Sequence, residues 1–263
     1  MRRIQFIEIH EQPWFPRPLR NDITDTLQGG LNFSAVYGSI APLFEQALKF
    51  TGAHSVIDLC SGAGGPWLDL ARRLQRKITG FHDSLTDKFP NLAAFENAQS
   101  NPDSSIGFCR RPVDARDVPP ELSGFRTLFS AFHHFAPVEA RAIIRNTVEA
   151  RQGIGIFEIT RRSVPAMALM IPWALSPLLF TPFIRPFRWS RLLFTYLIPV
   201  IPVVLLFDGI ISCLRTYDPQ ELEALVGELG AVNYRWQAGE FRASLLNAPI
   251  TYLIGFPSTS RGD

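Results

Sequence analysis

Cysteine is scarce: the 263 residues contain three, Cys60, Cys109 and Cys213, widely separated. No C-x-x-C pair and no run of His and Cys occurs, so the sequence offers neither a disulfide framework nor a patterned metal site, and a reducing compartment is the natural setting. An excess of one charge is also missing. Lys plus Arg total 26 against 24 for Asp plus Glu, a formal +2, far from the basic surplus that a nucleic-acid partner requires. Internal repeats and low-complexity tracts are absent, which excludes solenoids and disordered linkers. The opening MRRIQFIEIHEQPWFP carries two arginines, but Glu8, His10 and Glu11 break its apolar residues, so it does not read as a secretory signal. Charge is low overall, 19% against 46% apolar residues. That imbalance proves to be local.

What is present is an alternation of short apolar runs with helical spacing. Residues 55–59 (SVIDL), 78–86, 105–115, 125–132 and 153–160 (GIGIFEIT) read as strands. Helices are predicted from about 39 to 50, at 65–75, at 137–151 and at 218–230, the last with Asp218 as N-cap, Glu221 three residues on and Gly230 as stop. YRWQAG (234–239) and PITYLIGFP (249–257) form a closing antiparallel pair. Buried strands alternating with helices predict an α/β, Rossmann-like fold, a mainly parallel sheet with a terminal antiparallel hairpin. The domain is expected over 51–162 and 215–263, preceded by an N-terminal lid or helical segment (1–50) and interrupted by an apolar insertion (163–214) after the fifth strand.

The insertion holds 22 uncharged residues from Ser163 to Ile184, then RPFRWSR, then 16 more from Leu192 to Phe207. A bilayer-spanning helix needs about 20 apolar residues. Seven prolines between 163 and 214 divide both runs, however, and two spans would carry Arg185, Arg188 and Arg191 across the membrane. The composition favours a monotopic or re-entrant insertion at the cytoplasmic face of a membrane, with those arginines and Trp189 at headgroup level. The alternative is an oily lid buried against its own domain, in a cytoplasmic protein.

The chemistry-bearing motif is Asp58-Leu59-Cys60-Ser61-Gly62-Ala63-Gly64-Gly65, placed between a strand and a helix. Glycines there admit a ligand close to the backbone, and the free amides at the helix start favour a negative group. With its flanking residues this loop resembles the first motif of the class I S-adenosylmethionine (SAM) dependent methyltransferases. The resemblance covers about 50–160 and 215–257. It implies SAM as cofactor, with Asp58, Cys60, Ser61, Gly62 and Gly64 around the methionine part. It implies further an acid after the second strand on the ribose, Asp87 with Asp83 as competitor, and Asp114-Ala115 facing the adenine. Cys60 stands where the family has its first loop glycine, so the backbone there cannot demand a strictly glycine-only conformation. NAD binding fits less well, because the dinucleotide fingerprint lacks the acid that heads the loop.

His133 and His134, in the turn after the fourth strand, are the catalytic candidates, useful as a base if the acceptor has a proton to lose. Shaping the turn and the cofactor pocket is their alternative role. Trp14, Phe15 and Tyr37 are expected to line an acceptor pocket under an N-terminal lid, with Arg17 or Arg20 meeting an anionic group; simple packing is their alternative role. No metal ligand is expected. The combined reading is a SAM-dependent methyltransferase acting on a lipophilic small molecule (lipid, quinol or long-chain acid) at a membrane surface. The alternative is a non-catalytic SAM-binding regulatory or adaptor protein tethered to the membrane.

Overall fold

The computed structural model describes residues 1–34, 36–100, 105–242 and 249–258. In chain order the elements are α1 (Arg17–Ser34), α2 (Ala41–Thr51), β1 (Ser55–Asp58), α3 (Trp67–Gln75), β2 (His82–Leu85), α4 (Leu92–Gln99), β3 (Ile106–Phe108) and β4 (Phe125–Phe129). They continue with α5 (Pro137–Glu149), β5 (Ile154–Glu158), α6 (Val164–Leu175), α7 (Pro177–Phe180), α8 (Trp189–Leu192), α9 (Val200–Arg215), α10 (Pro219–Gly227), β6 (Tyr234–Arg242) and β7 (Pro249–Pro257).

The strands form one seven-stranded sheet in the order β3-β2-β1-β4-β5-β7-β6. The first five are parallel, β7 runs antiparallel to β5, and β6 closes the edge antiparallel to β7. This is the predicted fold class. Strand order reverses direction between β1 and β4, the switch point where open α/β sheets place their ligands. Both faces are covered. Phe44, Trp67, Phe95, Phe125 and Phe157 fill one side under α2, α3 and α4, and Leu128, Ile143, Ile156 and Leu222 fill the other under α5 and α10. The residues of β4 and β5 are buried throughout, as strands covered on both faces must be.

The sequence reading missed α1. Its span contains Asn21, Asp22, Thr24, Asp25 and the pair Gly29-Gly30, which weaken a helix on propensity alone. Tertiary packing overrides that weakness. A Cβ on Gly30 would stand 2.6 Å from the ring of Trp173, and one on Gly29 3.1 Å from Ile184, so the glycines let the insertion lie against the helix.

The insertion and α1 therefore form one cap. Phe15 and Ile23 pack with Ala174, Ile201, Val204 and Leu205, and α6 lies along α9. Polar contacts reinforce the joint. Asp25 is 0% and Arg191 1% exposed, with Arg191 Nη1 2.6 Å from Asp25 Oδ2 and Arg188 Nε 3.1 Å from the same oxygen. Asn91 Nδ2 donates to Asp25 Oδ1 at 2.7 Å, and Arg191 also donates to the carbonyls of Ile184 and Pro186. This corrects the expected position of two of the three arginines. Arg188 and Arg191 point inward to α1, because a guanidinium with buried carboxylate and carbonyl partners needs no headgroup.

Removing one member of a buried pair strands the other charge, at a cost of about 3 to 5 kcal/mol. Asp25→Leu is expected to lose that much stability in urea unfolding, and the double variant Asp25→Leu/Arg191→Met to recover most of it. Equal losses in the single and double variants would mean that the pair does not fasten the cap.

Candidate functional site

The site lies along the carboxyl edge of β1, β2 and β4. After β1 the chain turns through the glycine loop, with Gly62 at φ 58°, Gly64 at 110° and Gly65 at 49°. At Gly64 that backbone suits glycine, and Gln28 of α1 already stands 2.8 Å from where its Cβ would be. Cys60 also adopts the left-handed conformation, φ 58°. A non-glycine residue can adopt that region at a cost of roughly 1 to 2 kcal/mol, so cysteine is tolerated at this turn position. Burial, together with the nearby carboxylate of Asp87, pushes its thiol well above the ordinary cysteine range, so it is no activated nucleophile.

Asp58, at the end of β1, is buried, and its Oδ1 accepts from Thr127 Oγ1 of β4 at 2.7 Å. Burial raises its carboxyl to about 6. Its own carbonyl accepts from the Ser61 hydroxyl, so acid and loop are tied together. Asp87, two residues beyond β2, accepts from the Gly62 amide at 2.8 Å and the Phe89 amide at 2.7 Å, and its carbonyl accepts from the Val113 amide. That last bond delivers the Asp114-Ala115 segment to the same edge. Asp114 is held by Arg116, whose Nε and Nη2 donate to its two oxygens at 2.9 and 2.6 Å, with Lys88 3.5 Å away, and Ala115 is buried. The structure thus gathers Asp58, Cys60, Ser61, Gly62, Gly64, Asp87, Asp114 and Ala115 around one corner.

Asp83 is not there. It pairs in register with Val56 and Ile106, at the amino half of β2, and contacts Ser105 Oγ at 3.2 Å. It is thereby removed as a ribose ligand. The predicted lid residues also separate. Trp14 is exposed, and Arg17, also exposed, donates to the Pro90 carbonyl at 3.5 Å. Tyr37 is buried, its hydroxyl 2.6 Å from Ser130 Oγ and donating to the Phe157 carbonyl at 3.2 Å. Phe15, rather than Trp14, turns into the cap. The two rings meet edge to face, centroids 6.1 Å apart, with Trp14 left on the solvent side.

The two histidines follow β4 in a short helical turn and have different partners. His133 is buried, with Nδ1 2.6 Å from Glu158 Oε2, while Glu158 Oε1 accepts from the amides of Phe132 (2.7 Å) and His133 (3.2 Å). A carboxylate that accepts a hydrogen bond from Nδ1–H leaves Nε2 as the basic nitrogen. His134 Nδ1 contacts Glu11 and lies 3.3 Å from Glu8 Oε2. Burial alone would lower His134, but Glu8 and Glu11 outweigh it and raise the ring well above the usual histidine range. Arg215, at the end of α9, closes the cluster: it donates to the carbonyls of His133 and His134 and pairs with Glu11 Oε2 at 2.8 Å. An N-terminal strap, residues 3–12, thus lies across the turn, with Arg3 donating to the Phe135 carbonyl at 2.9 Å.

Glu158, Glu8, Glu11 and Arg215 were missed from sequence. Glu158 did carry a signal: it is the one charge in the apolar run GIGIFEIT, at the carboxyl end of a buried strand. Glu8 and Glu11 carried none, since more than 120 residues separate them from His134.

No family model matches the sequence, and no curated protein does. Among solved structures, the chain is similar to human N-acetylserotonin methyltransferase in complex with SAM, at 14% identity and a TM-score of 0.52 over 98% of this chain and 63% of that one. It is similar too to an O-methyltransferase family protein from Burkholderia thailandensis (16%, TM-score 0.51, 97% and 62%) and to the mitomycin 7-O-methyltransferase MmcR (14%, TM-score 0.51, 95% and 59%). The chain has the class I methyltransferase fold. It spans about three fifths of the length of these structures.

Asp83 yields a pH prediction. Burial, with Asp58 nearby, raises its carboxyl to about 8, above an unfolded value near 4. The folded state therefore holds this proton more tightly, and its contribution to stability falls as pH rises from about 4 through 8. Asp83→Asn is expected to flatten the decline, becoming more stable than the parent at pH 9 but not at pH 4. Parallel stability profiles of parent and variant would show that Asp83 is not held protonated.

Proposed function

We propose that this protein is a SAM-dependent methyltransferase acting on an oxygen of a lipophilic small molecule drawn from a membrane surface. The single observation that carries the reading is the meeting of the Asp58–Gly65 loop with Asp87 at the carboxyl edge of a class I sheet, one strand from His133. The residues fit SAM. The buried Asp58 and Ser61 brace the loop, and Asp87 presents a carboxylate beside Gly62, where the ribose hydroxyls would lie. When bound, SAM supplies an electrophilic methyl group, so the protein's share of catalysis is orientation, exclusion of water and proton removal. Glu158 holds His133 by Nδ1, which leaves Nε2 to accept the proton of a hydroxyl acceptor as it is methylated. The O-methyltransferase neighbours support oxygen as the acceptor atom.

The membrane half of the proposal rests on the cap. Its inner face is fastened to α1, and its outer face shows Leu179 81%, Phe183 78%, Trp189 77% and Leu197 77% exposed. Val164–Phe183 is a 20-residue run of mean hydropathy 1.6 with only 17% of its most apolar window buried, and the Trp189–Leu197 and Val200–Arg215 segments meet at a 78° bend. Such a surface exceeds what a soluble monomer normally leaves to water, and the bend suits a re-entrant insertion. A second reading, a non-catalytic SAM-binding adaptor on the membrane, is favoured by one observation: the strap covers His133, which is 2% exposed.

Release of S-adenosylhomocysteine on incubation with a lipid extract separates the two readings. Glu158→Gln is expected to lower kcat by about 100-fold with SAM affinity unchanged, whereas no turnover with any lipid fraction would favour the adaptor. Gly62→Asp is expected to abolish SAM binding while leaving liposome flotation intact; retained SAM affinity would overturn the cofactor assignment. The double variant Leu179→Lys/Leu197→Lys is expected to weaken liposome binding by at least about tenfold. Parent protein that ignores liposomes would remove the membrane from the proposal.

A further inference from the structure

The strap does more than cover the turn. Three side chains from two distant parts of the chain, Glu8, His10 and His134, bring one ligand atom each within 4.8 Å of the other two. Glu8 Oε2 lies 3.3 Å from His134 Nδ1 and 4.0 Å from His10 Nδ1. Ligands of a tetrahedral ion bound at 2.0–2.1 Å stand about 3.4 Å apart, so the trio needs only a small contraction around a metal.

The burial of Glu8 points the same way. The residue is 0% exposed. Its Oε1 has Ser212 Oγ donating at 3.0 Å and Arg215 Nη1 at 3.4 Å, whereas Oε2, buried and turned between the two imidazoles, forms no hydrogen bond of good geometry, its nearest group being His134 Nδ1 at 3.3 Å. A wholly buried carboxylate oxygen without a partner is costly, and a cation is one way to satisfy it. Two further carboxylates flank the trio: Asp208 Oδ2 lies 2.7 Å from His10 Nδ1, and Glu11 contacts His134 Nδ1. Both carboxylates lie on the same Nδ1 atoms that face Glu8, so an ion bound there would replace the Nδ1 protons and take Asp208 and Glu11 as further oxygen ligands. The imidazole rings stand edge to face, their centroids 6.0 Å apart, so the two nitrogens converge without stacking.

We propose that Glu8, His10 and His134 bind a divalent transition-metal ion, zinc by the choice of ligands, with Glu11 and Asp208 supporting it. Imidazole and carboxylate suit zinc, whereas an all-oxygen set would be expected for magnesium or calcium. The ion ties residues 8–10 of the strap to the turn that carries His133, and holds the strap over the Glu158–His133 pair. The site is independent of the SAM assignment, because none of its ligands belongs to the glycine loop or its acids.

The test uses the full-length, untagged protein after dialysis against chelator, with Zn²⁺ as titrant in calorimetry and Co²⁺ as a spectroscopic probe. One equivalent of Zn²⁺ is expected to bind, and Co²⁺ to give visible bands of low-coordinate geometry that Zn²⁺ removes. His10→Gln should weaken Zn²⁺ binding by more than about 100-fold, and Asp208→Asn by 10- to 100-fold. The His10→Gln variant should keep the parent's circular dichroism and SAM affinity. Because Glu8 is deeply buried, Glu11→Gln, at a partly exposed position, serves as the second variant, with an intermediate loss expected. Absence of a one-equivalent site in the parent, or binding unchanged in both His10→Gln and Glu11→Gln, would overturn the proposal.

Discussion

A guanidinium buried against a carboxylate decides where the apolar insertion goes. Arg191 and Asp25 are almost wholly removed from water, and neither could be so without the other. The pair, with Arg188 and Asn91, fastens the start of α8 to the middle of α1 and to the residue preceding α4. Once that joint is made, α1 lies over the glycine loop, where Thr24 and Gln28 stand beside Gly62 and Gly64. The cap therefore belongs to the cofactor corner as much as to the surface. The inward side of the insertion combines apolar packing with buried ion pairs to α1, and its opposite side is left apolar and outward.

The same logic operates at the His133–His134 turn. Burial penalises Glu8, yet the three neighbouring histidines outweigh that penalty and hold its carboxyl well below the ordinary range. Each carboxylate in the cluster has a nitrogen facing it: Glu158 has His133 Nδ1, Glu8 and Glu11 have His134 Nδ1, Asp208 has His10 Nδ1, and Arg215 pairs with Glu11 while donating to the turn carbonyls. Such a network is stable only when complete, so its members are drawn from four parts of the chain that must arrive together. It unites the strap, β4, β5 and α9 at the edge where methyl transfer is proposed.

How much of this was legible depended on how local the signal was. SVID followed by SGAGG could be read because strand, turn and helix start are contiguous, and the glycine conformations required there are a backbone property. Asp87 and Asp114 could be ranked by their place after the second and third strands, but Asp83 competed until β2 was seen to end at Leu85. Glu158 was overlooked although a lone charge ending a buried strand is a visible anomaly. The helix α1 was hidden because its glycines look like breakers in sequence and act as contact surfaces in the fold. Trp14 and Phe15 are neighbours whose fates differ, since only packing chooses which aromatic turns inward.

The sequence by itself determined the sheet, the cofactor-type loop and the presence of an oily, arginine-bearing insertion, because those follow from periodicity, turn chemistry and composition. Tertiary structure alone decided what the charged residues do. Arg188 and Arg191 became anchors to α1, and Glu8 and His10 became partners of His134. The reason is that charge pairing acts through space: carboxylates and imidazoles more than 120 residues apart leave no periodicity or spacing for a sequence to show.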